Sequence, residues 1–191
     1  MPAHIIPIVE GHGEVEAVPI LIRRIAHSLG IFDIKVGKPI RCPRDKVVKE
    51  GELERALELA AKKVQGSGQI LVLIDAGPDC PAELGPRLEG RARRARGDIP
   101  SAVVLAKKEF EAWFLASLGS LKPDATPPAD VENIQGAKER LSSLIGLPYS
   151  ETADQPAFTA QFDMNSARVN SPSFDKCWRA VESLLEAEYG R

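Results

Sequence analysis

The segment Gln69–Asp75 (QILVLID) limits the possible folds more than any other part of the chain. Its apolar residues follow one another without a polar break, so neither side of a strand built from them can face water. Such a strand belongs inside a parallel sheet, whose neighbouring strands must be joined by crossovers, usually helices. The flanking sequence supplies both. His4–Val9 (HIIPIV), Phe32–Ile40 and Ser101–Ala106 (SAVVLA) read as three more strands. Val18, Leu21, Ile22, Ile25 and Leu29 recur at helical spacing, with Gly30 past the end and Pro19 expected in the first turn. Leu53, Ala56, Leu57, Ala60, Ala61 and Val64 mark the clearest amphipathic helix, which Gly66 and Gly68 should close. Further helices are expected from about Ala82 to Arg96 and over Phe110–Leu118. This alternation predicts an α/β fold, a parallel sheet sandwiched between helices. Pro7 removes a ladder donor, which points to a first strand that lies near an edge or bends there.

The pattern changes after Leu118. Gly119–Gly136 reads as a connector, Ala137–Ile145 as a short helix and Tyr149–Pro172 as irregular. Phe174, Cys177, Trp178, Val181, Leu184 and Leu185 then form the stripe of a last helix, with Ser173 as its expected N-cap. The expected organisation is an α/β domain over residues 1–118 and a helical and irregular extension over 119–191 that packs back on it.

Composition excludes several classes. With 25 basic and 27 acidic residues the net charge is −2, and 43% of the residues are hydrophobic, far from the profile of a disordered chain. No apolar run approaches the ~20 residues of a membrane-spanning helix, and the start lacks the pattern of a secretory signal. The three cysteines, Cys42, Cys80 and Cys177, are widely spaced and suggest neither a disulfide framework nor a zinc site. A cytoplasmic, reduced protein is expected.

Carboxylates concentrate where strands end: Glu10, Glu14 and Glu16 after the first, Asp75 and Asp79 after the third, Glu109 and Glu111 after the fourth. In a parallel sheet these clusters share one rim. Carboxylates crowded together need protons or a cation, and magnesium or manganese suits oxygen ligands and phosphate chemistry. Glu109 and Glu111 cannot both face the rim from one helix, and Glu109, nearer the strand end, is preferred.

These residues also carry a resemblance. Ile8-Val9-Glu10-Gly11-His12-Gly13-Glu14 resembles the first motif of the Toprim fold, an apolar strand ending in Glu-Gly. Leu73-Ile74-Asp75-Ala76-Gly77-Pro78-Asp79 resembles the second, a strand ending in Asp-x-Asp. Glu10, Gly11 and Glu14 together are similar to the branch of the overcoming-lysogenization-defect (OLD) nucleases. Lys108–Trp113 and Ser171–Lys176 resemble segments of a Toprim-related prokaryotic family carried under a domain-of-unknown-function label. The resemblance implies a Toprim-like, Rossmann-like fold and a metal-dependent endonuclease. It makes Glu10 a ligand or acid/base, Asp75 a ligand and Glu14 a supporting acid. It also implies a separate ATPase partner and a place in phage defence. One departure stands out: the second acid belongs at position 77, where this chain has Gly77, so Asp79 is expected to take its place as a ligand.

Arg87, Arg91 and Arg94 share one face of a helix that follows the Asp75 loop, and arginines there are expected to hold a DNA or RNA backbone. A solvated face balanced by Glu83 and Glu89 accounts for them equally well. Gly11-His12-Gly13 lacks the third glycine of a dinucleotide fingerprint, and a Walker lysine is absent. The alternative to an enzyme is a non-catalytic, degenerate Toprim module that binds or regulates a partner protein. A third reading, a small-molecule phosphohydrolase, would use the same metal without the arginines.

Overall fold

The computed structural model describes residues 3–64 and 68–189. Gly66 therefore lies outside the described residues. Among the described residues, five parallel strands form one sheet: β1 (Ala3–Val9), β2 (Ile34–Val36), β3 (Ile40–Arg41), β4 (Gln69–Asp75) and β5 (Ser101–Ala106). β1 and β4 pair from Ile5↔Gln69 to Val9↔Leu73, and β5 lies outside β4 from Ile70↔Ser101 to Asp75↔Ala106. β2 and β3 both pair with the other edge of β1. The α/β class and the parallel sheet between helices are as the sequence predicts.

β1 is thus an interior strand, which overturns the edge position that Pro7 suggests. The Ile5 carbonyl accepts from Gly37 N at 2.9 Å and the Val9 carbonyl from Cys42 N at 2.8 Å, so odd-numbered residues of β1 address the β2/β3 side. Pro7 falls between these two bonds, where β2 has ended and β3 has not begun. An interior proline is tolerated because its missing N–H coincides with a break in the neighbouring ladder. The same break explains why Phe32–Ile40, expected as one strand, is divided at Gly37-Lys38-Pro39.

Alternating side chains divide the core. Ile5, Val9, Leu71, Leu73 and Val104 face α1 (His12–Ser28) and the C-terminal helices, while Ile6, Ile8, Ile70, Val72, Ile74, Val103 and Leu105 face α2 (Arg44–Val47), α3 (Glu52–Val64) and α4 (Pro81–Arg96). Gln69 and Ile70–Ile74 are buried throughout, as their unbroken apolar run requires. α1 begins at His12, so Pro19 lies inside it, not in its first turn.

After β5 come α5 (Ala112–Ala116), α6 (Leu118–Leu121), a 3-10 turn at Val131–Asn133, α7 (Ala137–Ile145), α8 (Glu151–Gln161), α9 (Met164–Asn170) and α10 (Pro172–Tyr189). Tyr149–Pro172 is therefore largely helical, contrary to expectation. The cause lies in the face that α8 buries: Gln155 and Thr159 are its buried residues, so no apolar stripe marks it. Asp163 caps α9 by accepting from Asn165 N at 2.8 Å and Ser166 N at 3.2 Å. At the start of α10 the capping hydroxyl is Ser171, which accepts from Phe174 N at 3.3 Å. Ser173, the expected cap, instead accepts from Trp113 Nε1 at 2.9 Å. Trp113 sits with Phe110, Phe114, Phe162 and Phe174 in one core cluster that also includes β1, β4 and β5 residues.

The arginine-rich helix α4 is tied to the molecule by one of its arginines. Arg91 grips Glu54 with two bonds, Nε–Oε1 at 2.8 Å and Nη2–Oε2 at 2.7 Å, and donates to the carbonyls of Val47 and Lys49. This clamp joins α4 to α3 and to the end of α2, and it draws the Glu54 carboxyl down to about 2 through the Arg91 hydrogen bonds. Arg87 and Arg94 are exposed, with no ion pair among the described residues. Replacing Arg91 with Ala should cost about 1.5–3 kcal/mol in urea unfolding, the usual worth of hydrogen bonds to charged groups. Arg94→Ala should stay within about 0.5 kcal/mol of the native chain.

Candidate metal and phosphate site

The strand order places the carboxyl ends of β1 and β4 side by side where the sheet reverses its winding direction, the position at which open α/β sheets bind ligands. Glu10 follows β1 directly and Asp75 ends β4. Their proximity is fixed by a bond: Asp75 N donates to Glu10 Oε2 at 3.1 Å. Gly11 is the extended N-cap of α1 and has no side chain with which to cap it. Glu14, the third residue of the helix, reaches back instead, its Oε2 accepting from Glu10 N and Gly11 N, both at 2.8 Å. Glu14 thereby sets the turn that presents Glu10.

Glu111, not Glu109, completes the acidic rim. It is fully buried and accepts from Tyr149 Oη at 2.9 Å and Gln155 Nε2 at 3.3 Å. Glu109 turns away and accepts from Lys138 N at 3.2 Å at the start of α7. The tail adds Lys138, which pairs with Glu151 at the pocket wall. The resulting pocket, about 240 Å³, gathers Glu10, Glu14, Asp75, Glu111, Lys138 and Gln155, with Arg41 and the exposed His12 at its mouth. Sequence reasoning missed Lys138, Tyr149, Glu151 and Gln155, whose residue types carry no motif. Only the helix at Ala137 gave a hint of them. α8 comes close enough that a Cβ on Gly13 would run into the Gln155 side chain and the Glu151 carbonyl.

Asp79 stands outside this group. It is exposed and ion-paired with Arg44, whose Nε also donates to the Ala76 carbonyl at 3.1 Å. Gly77 has φ +56°, a left-handed turn that a β-branched side chain takes up only at a cost. Arg87, Arg91 and Arg94 line a separate groove of about 430 Å³ that shares no lining residue with the carboxylate pocket and also contains Glu50 and Glu54. The α4 arginines therefore do not overhang the acidic rim.

Burial and mutual repulsion raise the acids of the pocket. Burial pushes Glu14 up to about 7, against the pull of the Gly11 and Glu10 N–H groups. It lifts Glu111 to about 7, against Lys138 and Tyr149. Glu10 is raised by burial, and Asp75 is raised well above the usual range by burial and by Glu14, Glu111 and Glu10. Two carboxylate oxygens, Asp75 Oδ1 and Glu111 Oε2, are buried and accept no hydrogen bond. Buried carboxylate oxygens without donors fit an oxygen-seeking cation. Among the described residues, no three His, Cys, Asp or Glu side chains are already drawn together as a finished metal cage.

The sequence matches the family described as Domain of unknown function (DUF4276) over residues 9–182. Among solved structures, the chain is similar to the C-terminal region of the Xanthomonas campestris pv. campestris OLD protein. Identity is 14% and the TM-score 0.48, with 100% of this chain and 99% of that chain covered. No curated protein matches. Among the described residues no helix is long and apolar enough to cross a membrane.

The raised acids have a consequence for stability. The folded chain holds protons that the unfolded chain releases, so the stability these groups contribute is present below their ordinary values and is lost as pH rises through about 7. Without added metal, melting temperature should fall between about pH 4.5 and about pH 7 and level off above that. Glu111→Gln, which keeps the Tyr149 bond and removes one charge, should flatten that fall and raise the melting temperature at the upper pH by roughly 3 °C. An unchanged slope in the variant would show that Glu111 is not among the repelling acids.

Proposed function

The chain belongs to the family described as Domain of unknown function (DUF4276), and we propose that it is a divalent-metal-dependent enzyme of Toprim type that acts on phosphodiester bonds of nucleic acid. The observation that carries this reading is the convergence of Glu10, Asp75 and Glu111 at the β1/β4 strand ends, with Asp75 Oδ1 and Glu111 Oε2 buried and free of donors. The motif resemblance at Ile8–Glu14 and Leu73–Asp79 supports the same chemistry.

In this reading Glu10, Asp75 and Glu111 hold magnesium or manganese. Glu10 Oε2 is already occupied by Asp75 N, which leaves its second oxygen for the ion. Such a cation, once bound, neutralises charge on a phosphate and makes its attacking water more acidic. Glu14 is a positioning residue, since its Oε2 serves two backbone N–H groups. Asp79, which the Toprim resemblance would make a ligand, is committed to Arg44. Lys138, held by Glu151, brings positive charge to the pocket wall. One feature favours a second reading: with Asp79 so engaged and no finished cage among the described residues, the chain would act as a non-catalytic module that docks on a partner protein.

Titration calorimetry with magnesium and manganese separates the two. Under the enzymatic reading the native chain binds, Asp75→Asn abolishes binding, Glu111→Gln weakens it by roughly 10–100-fold and Asp79→Ala changes it less than about twofold, since Arg44 already occupies that side chain. Metal-dependent cleavage of DNA or RNA should fall at least about 100-fold in Asp75→Asn. A native chain that binds neither ion supports the docking module.

A further inference from the structure

The cationic side chains near the carboxylate pocket differ in whether they are free. Lys138 is paired with Glu151 and Arg44 with Asp79. Arg91 is locked to Glu54 and to backbone carbonyls, in a groove that shares no residue with the pocket. Arg41 is different. It is exposed, it lines the pocket, and among the described residues it has no carboxylate within ion-pair distance.

Its place is set by the sheet. Arg41 ends β3 and stands opposite Val9 in the parallel ladder, where Cys42 N donates to the Val9 carbonyl at 2.8 Å. Residues in register point to the same face of a sheet. Val9 faces α1, so Arg41 projects to the face where α1 and α8 begin, one residue along the ladder from Glu10. Ile40, its neighbour, faces the opposite core.

We infer that Arg41 is the residue that grips the phosphate group of the nucleic-acid substrate at this site, a role the sequence pattern points to on α4 instead. A guanidinium presents a planar fork of donors matched to two phosphate oxygens, and an unpaired one loses no existing partner on binding. The inference rests on the proposed phosphodiester chemistry but has a readout of its own.

The test measures binding of fluorescein-labelled DNA and RNA oligonucleotides by anisotropy, in magnesium and at several salt concentrations, beside magnesium calorimetry. Arg41→Ala should weaken oligonucleotide binding roughly tenfold and reduce the salt slope by about 1, with magnesium affinity unchanged. Arg41→Lys should recover the salt slope but not the full affinity, because a point charge lacks the fork. Arg94→Ala should bind as the native chain does. Oligonucleotide affinity and salt slope that survive Arg41→Ala would overturn the inference, and so would a native chain that binds neither oligonucleotide. Failure of the native chain to bind magnesium, with oligonucleotide binding still dependent on Arg41, would overturn the metal reading and leave Arg41 in place.

Discussion

The parallel pairing of β1 with β4 is the constraint on which the rest of this molecule depends. It brings two chain segments far apart in sequence into residue-by-residue register, and it ends both at the same level, so Glu10 and Asp75 emerge side by side. Everything around them responds to that crowding. Backbone N–H groups of Asp75, Glu10 and Gly11 are spent on carboxylate oxygens. Tyr149, Gln155 and Lys138 are delivered from the tail to face Glu111. Such an arrangement is costly as a purely structural device, because a buried charge without a partner destabilises a fold.

The sheet was legible in the sequence because burial on two faces leaves a plain mark. Gln69–Asp75 and Ser101–Ala106 appear as expected, and α3 and α7 follow their apolar periods. Three kinds of information left no such mark. Pro7 reads as an edge signal unless the break between β2 and β3 opposite it is known. α8 packs through Gln155 and Thr159, so its period is invisible to hydrophobicity. The choice between Glu109 and Glu111 turns on where α5 begins after β5, and that is fixed by the aromatic packing of Phe110, Trp113 and Phe114.

The same limit applies to charge. Arg87, Arg91 and Arg94 form the densest basic signal in the sequence, yet Arg91 fastens α4 to α3, and the groove around it is walled by acids of its own. Arg41 carries no pattern at all, and its relevance comes only from a two-residue strand beside β1. Density of charge along a chain and availability of charge at a site are separate quantities, because pairing consumes one without altering the other.

The docking of α8 on α1 also orders events in time. Arg24 Nη1 donates to the Thr159 carbonyl at 2.7 Å across 135 residues of chain, and Gly13 admits α8 at the very start of α1. During synthesis the amino-terminal strands emerge long before that contact can form. Until α8 arrives, the wall formed by Glu151, Gln155 and Tyr149 is missing, and Glu10, Glu14 and Asp75 remain open to water. The strands that carry the acidic rim therefore leave the ribosome ahead of the segment that dries it, and the mutually repelling state of those carboxylates is acquired only when α8 packs down over them.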